Sequence, residues 1–320
     1  MGTLINLAIY VGLVVVGAVI GSRPAIREKD MPWLGKFQFL ALIILILALG
    51  VKLGANDEVV SSLGSIGLSA LLLTVLAIAG SILCVTLLRR FVLKLDRRGL
   101  PASAQLQEEE HAGAAEKVDN SSTFFIVGAV IVGMLAGRFL LPPAASEACG
   151  PVIDFGLYLL LFLVGVDMGK QGGVWDSIRQ AGFGVLLVPV AVIIGTFAGA
   201  AVAGVFLPMG VKDSVAASAG FGWYSLAPTL LESYSLSVSA VAFLSNVMRE
   251  IFSILLVPVI ARRLGYVEAV APCGATAMDT LLPMVVGATS ERITIYSFVS
   301  GVVLSLAVPV LVSTIVALPF

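Results

Sequence analysis

The sequence predicts an all-α integral membrane protein with about eight transmembrane helices plus two re-entrant or broken helices. Three observations carry that expectation. The 320 residues are 59% hydrophobic and 12% charged, whereas soluble domains carry about 25% charged residues. Apolar runs of about 20 residues, enough to cross roughly 30 Å of hydrocarbon, recur along the chain. Basic residues gather in alternate loops, the bias that marks cytoplasmic loops.

The expected spans are Leu4–Gly21, Phe37–Gly54, Ile66–Leu88, Thr123–Leu141, Val152–Met168, Phe183–Leu207, Leu236–Ala261 and Ile293–Leu318. No basic segment precedes the first, so it is expected to be a span and not a signal peptide. Segment 22–36 holds Arg23, Arg27, Lys29 and Lys36, and segment 89–122 holds Arg89, Arg90, Lys94, Arg97 and Arg98. Arg262 and Arg263 follow the seventh span. Segments 55–65 and 142–151 carry Asp57, Glu58 and Glu147 and no basic residue. With basic loops inside, both termini lie outside a bacterial cytoplasmic membrane.

Two further runs, Val215–Leu231 and Ala269–Gly287, hold Gly, Pro and polar residues in their middles. Non-helical backbone at membrane depth persists only where protein or a cavity satisfies it, so both are expected to be re-entrant or broken. A full crossing by the first would put Arg262 and Arg263 outside.

An internal repeat organises the chain. Leu49-Gly-Val-Lys-Leu-Gly54 aligns with Val164-Gly-Val-Asp-Met-Gly169, and Ser62–Gly67 with Ser177–Gly182, at one offset of 115 residues. Val16, Gly17 and Gly21 align with Val132, Gly133 and Gly137, one residue out of step. Three spans per copy is an odd number, so the copies insert upside down, and inverted repeats place a transport site near the midplane. The expected units are a first three-span repeat at 1–95, a cytoplasmic linker at 96–122, an inverted three-span repeat at 123–208, and a final part at 209–320. That last part carries the broken helices, the last two spans and the substrate site. Within it, Gly220 through Ser225 to Pro228 echoes Gly274 through Asp279 to Pro283, and the two tips can meet in mid-membrane.

The polar residues at membrane depth are the candidates for function. Asp279 stands in Cys273-Gly-Ala-Thr-Ala-Met-Asp-Thr-Leu-Leu-Pro283. An ionisable group there costs at least about 2.5–3.5 kcal/mol, which favours a wet cavity and a task. It is either a site for substrate and protons or a neutral acid bonded to backbone. Thr276 and Thr280 flank it. Arg249 and Glu250 are neighbours near the middle of the seventh span and face different ways on a helix. Either Arg249 pairs with Asp279 and leaves Glu250 for a cation or proton, or both charges brace the helix. Asn246, one turn before Glu250, is a donor to a carboxylate or a helix tie. Trp223, Tyr224 and Ser225 line a pocket or form an interfacial belt. Pro228 and Pro283 are expected to break helices, and Glu232 to sit at the outer mouth. Lys52 and Asp167 hold equivalent places near span ends and are expected to snorkel.

Other classes are excluded or disfavoured. A net charge of −1 makes nucleic acid an unsuitable partner. Cys84, Cys149 and Cys273 show no metal or redox spacing, and the single histidine, His111, lies in a hydrophilic segment. No phosphate-cradling Gly-x-x-x-x-Gly-Lys-Ser/Thr loop is present, so ATP is not expected to drive the protein directly. Neither an enzyme nor a resident cofactor is expected.

The strings Leu159-Leu-Leu-Phe-Leu-Val-Gly165, Ser218-Ala-Gly-Phe-Gly-Trp-Tyr-Ser-Leu226, Arg249-Glu250 and Cys273-Gly-Ala-Thr-Ala-Met-Asp279 resemble the bacterial lysine exporter LysO family. The resemblance implies efflux of L-lysine and analogues such as thialysine, eight spans with external termini, and intramembrane acids. The family's last acid falls on Asp279. In the first repeat this chain offers Lys52 where the family has an acid, and Glu250 is the substitute expected. The broader fold is then akin to antiporters with two inverted units and crossed broken helices, by analogy alone. The expected function is secondary export of L-lysine in exchange for protons, with the lipid bilayer as surroundings and a homodimer open as an assembly. The rival readings are a sodium-coupled or organic-anion transporter with Arg249 as the anion site, and a non-transporting amino-acid sensor that signals through Asp96–Ser122.

Overall fold

Among the described residues every long element is a helix, because a backbone in hydrocarbon must satisfy its own hydrogen bonds. The structure is a computed structural model that describes residues 2–27, 31–61, 63–99, 121–171, 183–278, 280–290 and 292–319. Asp279, His111 and most of the expected linker lie outside the described residues. Among those described, six helical stretches are long and apolar enough to cross a membrane: Lys36–Ala55, Gly64–Leu93, Ala148–Val166, Gly184–Phe206, Leu236–Arg263 and Ile293–Ala317. Gly12–Gly21 and Gly128–Phe139 are shorter apolar helices. The protein is a multi-pass membrane protein.

The chain opens with α1 (Gly2–Gly21) and a short α2 (Pro24–Arg27). α3 (Pro32–Ala55) starts before the expected Phe37, because Pro32 suits a first turn where its missing N–H has no partner to lose. α4 (Asp57–Ser61) leads to α5 (Leu63–Leu87), which ends in a π-helical turn at Leu88–Leu93. α6 (Ser121–Phe139) and α7 (Pro143–Gln171) follow. α7 begins well before the expected Val152 and keeps Pro151 inside. A 3₁₀ turn at Phe183–Leu186 feeds α8 (Leu187–Phe206).

The two interrupted runs are both broken. α9 (Gly210–Ser218) stops, residues 219–225 turn, and α10 (Leu226–Glu232) resumes. After the long α11 (Leu236–Arg263), 3₁₀ turns at Glu268–Val270 and Gly274–Met278 precede α12 (Leu282–Ala288). The last helix is α13 (Ile293–Ala317). The prolines do not make these breaks. Pro228 and Pro283 fall in the first turns of α10 and α12, where proline is tolerated. The breaks themselves carry left-handed backbone at Phe221 (φ 48°), Gly222 (φ 95°) and Gly274 (φ 61°).

Polar contacts sort the helix ends into two groups. At one end, Arg138 in the last turn of α6 pairs with Asp57, Lys52 of α3 pairs with Glu232 of α10, and Lys212 donates to the Leu318 carbonyl after α13. There too the Tyr234 hydroxyl donates to Asp213 at 2.8 Å. At the other end, Arg89 Nε donates to Glu268 at 2.5 Å and Tyr266 N–H to the Arg97 carbonyl at 2.8 Å. A side chain at Gly99 would touch both Val267 and Ile293 there. Asp213 and Tyr234 bracket the first broken segment, and Val267 and Ile293 bracket the second. Each segment therefore enters and leaves at one end of the bundle, and the two do so at opposite ends.

The remaining long helices pack in pairs: α1 with α7, α3 with α6, and α5 with α8. Small residues let the backbones touch, since lipid offers no hydrophobic drive between helices. Gly17 and Gly21 of α1 lie against the Phe162 and Val166 carbonyls of α7, and Gly133 and Gly137 of α6 against those of Leu47 and Val51 of α3. Gly50 and Gly54 meet α6 as Gly165 and Gly169 meet α1, and Gly80 meets Gly195.

Candidate substrate site

The two breaks meet, and hydrogen bonds from α11 hold them there. The Ala275 N–H donates to the Phe221 carbonyl at 2.9 Å, one break to the other. Gly274 lies so close to that carbonyl that a side chain would strike it. Asn246 serves the first break: its Oδ1 accepts from Gly222 N–H at 2.7 Å, and its Nδ2 donates to the carbonyls of Ala242 (2.7 Å) and Ala217 (3.0 Å). Ala217 is at the end of α9, where helical carbonyls lose their partners.

Arg249, three residues on, serves the second break. Its Nε donates to the Pro272 carbonyl (3.0 Å), Nη2 to the Ala271 carbonyl (3.2 Å) and Nη1 to Thr196 of α8 (3.1 Å). Its guanidinium also sits 5.9 Å from the Phe221 ring centroid, within cation–π range. Phe221 in turn stacks on Phe197 of α8 at 5.8 Å. Glu250 is buried on the same helix, 3% exposed. Sequence reasoning placed these residues together without seeing that Asn246 and Arg249 bind backbone.

Beside the crossing lies a cavity of about 350 Å³. The first break contributes Gly222, Trp223, Tyr224 and Ser225 to its wall. The second contributes Ala275, Thr276, Met278 and Thr280, and α13 contributes Ser305. Gln38, Phe39 and Leu42 of α3, with Leu160 and Val164 of α7, close the far side. Five candidates from the sequence, Trp223, Tyr224, Ser225, Thr276 and Thr280, thus share one cavity. Arg249, Glu250 and Asn246 do not line it. Asp279 lies outside the described residues, and its chain neighbours Met278 and Thr280 both line the cavity.

The local backbone is largely satisfied from within. Thr276 donates to the Cys273 carbonyl at 2.8 Å, Thr229 to that of Ser225 at 2.7 Å, and Ser239 to that of Pro228 at 2.8 Å. The Pro228 carbonyl is thus engaged by Ser239. Gln38 was not singled out by sequence. It stands in an apolar run of α3, lines the cavity, and donates to the Leu163 carbonyl at 3.0 Å. A lone amide in an apolar span was the signal that could have found it. Lys52 meets Glu232, and the side chain of Asp167 lies outside the described residues.

The chain is 27% identical over 307 residues to "Lysine exporter LysO" of Escherichia coli strain K12, covering 94% of this chain and 97% of that one. It is 27% identical over 191 residues to a candidate lysine exporter of Haemophilus influenzae, covering 58% of this chain and 94% of that one. No solved structure matches the chain. The family model described as lysine exporter LysO matches residues 11–104 and 127–316, so the chain belongs to the lysine exporter LysO family.

Proposed function

We propose that this protein exports L-lysine, and analogues such as thialysine, from the cytoplasm by exchange with protons. The observation that carries the reading is the cavity at the crossing, walled by both broken segments and flanking Asp279 in the chain. A cavity there offers hydroxyls and aromatic faces to the carbon stem of lysine, and a carboxylate suits its ammonium. Asp279 binds the amine while deprotonated. Protons arriving from outside displace it, and the neutral acid resets without the cost of a bare charge in a dry barrier. Glu250, buried one turn after Asn246, is a second carboxyl for the proton.

Membership of a lysine exporter family supports the substrate. The cross-packing of α1 with α7, α3 with α6 and α5 with α8 supports two inverted three-helix repeats, at 1–95 and 123–208, with the site in 209–320. The same packing supports eight spans in all, α1 and α6 included, with two re-entrant segments. With the basic loops inside, both termini lie outside in the cytoplasmic membrane. The organic-anion alternative needs Arg249 in the cavity. Its three bonds run instead to Pro272, Ala271 and Thr196, which favours the amine.

The test is counterflow of radiolabelled lysine and protons in proteoliposomes. Asp279→Asn keeps the shape and removes the titratable group, so both fluxes are expected to vanish. Undiminished exchange in that variant rejects the mechanism.

A further inference from the structure

Taking the exported substrate to be an amine, as proposed above, we infer that Glu232 is its exit site and that Lys52 is a tethered substitute for it. Glu232 is the last residue of α10, whose N-cap, Ser225, is in the cavity wall. At about 1.5 Å per residue, Glu232 stands roughly 10 Å beyond Ser225 along that helix. Along the stretch between, Leu226, Ala227 and Leu231 have no exposed surface, so that face of α10 is fully packed. On the other wall, Gln38 and Leu42 touch the cavity from the first half of α3, while Lys52 lies in its last turn. Cavity and ion pair thus sit in opposite halves of α3, roughly three to four turns apart. The pathway is closed on the Glu232 side, and the closure carries a carboxylate joined to an alkyl ammonium.

That ammonium is chemically the same group as the end of a lysine substrate. Lys52 reaches Glu232 from a different packing unit, and its Nζ stands 3.9 Å from where a side chain on Gly150 of α7 would begin. The two side chains keep 22% and 12% of their surface exposed, so the pair is half-buried and not sealed off. Removing one partner of such a half-buried pair leaves the other charge under-compensated. A leaving lysine supplies the missing charge: its ammonium takes the Glu232 carboxylate as the Lys52 arm swings off, and the pathway opens outward. Return of Lys52 then displaces the product and closes the route behind it. No bond is made or broken. One ammonium exchanges for another on one carboxylate.

The test is the half-saturating lysine concentration for counterflow, measured separately at each face of reconstituted full-length protein. Lys52→Gln removes the competing ammonium, so half-saturation at the outer face is expected to fall about tenfold. Glu232→Gln removes the site, so it is expected to rise about tenfold. Both variants leave the inner-face value unchanged. The double variant removes both charges, which spares it an uncompensated one, and it is expected to follow Glu232→Gln. Equal shifts in both single variants, or none in either, overturn the exit site and leave the pair a brace. Absence of lysine flux in the unaltered protein instead overturns the exporter reading itself.

Discussion

Arg249 shows how a charge at membrane depth can be held mainly by backbone carbonyls. Its planar fork spans two consecutive carbonyls, Ala271 and Pro272, and still reaches Thr196 on another helix. Lysine carries a compact point charge and cannot make that set. Arg249→Lys is therefore expected to leave a buried carbonyl unbonded, at about 1–3 kcal/mol, and to lower the melting temperature in detergent while reducing transport. An unchanged melt would show that the crossing does not depend on the guanidinium. The sequence told that Arg249 and Asn246 share a polar island on one helix. It could not tell that their partners are carbonyls and amides, because backbone groups at a break look the same in every sequence. For that reason the residues expected to touch substrate divide in two. Trp223, Tyr224, Ser225, Thr276 and Thr280 line the cavity, and Asn246 and Arg249 hold its walls.

At the scale of elements, the interruptions were legible and their causes were not. Glycine, proline and polar residues inside Val215–Leu231 and Ala269–Gly287 announced breaks, but proline drew the blame. The turning residues are Phe221, Gly222 and Gly274, and the prolines start the limbs that follow. Gly274 combines a left-handed backbone with contact on the Phe221 carbonyl, so Gly274→Ala is expected to abolish transport and cut the yield of folded protein. Gly210 has φ 77° but open space around it. Gly210→Asn, a residue that visits this region readily, is expected to cost under about 1 kcal/mol and to keep transport. Equal tolerance at both positions, read by size-exclusion yield and lysine flux, would remove the crossing from the account. Helix starts were the least legible feature. α3 and α7 run several residues further than their apolar cores, since an end in the headgroup layer needs no hydrophobic residue.

For the whole molecule, the glycines that match at a fixed offset in the sequence lie at close helix contacts. Gly17 and Gly21, Gly50 and Gly54, Gly133 and Gly137, and Gly165 and Gly169 each sit where one helix backbone touches another. The pairing joins α1 to α7, α3 to α6 and α5 to α8. The final third then threads two broken segments in from opposite ends, and their meeting point borders the cavity. Lys52 with Glu232 joins this part to α3 at one end, and Arg89 with Glu268 ties α5 to the second broken segment at the other. Neither pair was legible, because each partner is more than a hundred residues from the other. The central claim is that one carboxyl at the crossing holds either a proton or an amine. Lysine binding to the purified full-length protein, followed by calorimetry across the acid range in two buffers of different ionisation enthalpy, tests it most directly. The account predicts that affinity falls about tenfold per pH unit below the carboxyl's pKa, with one proton released for each lysine bound. Affinity that does not change with pH, with no proton released, would contradict it.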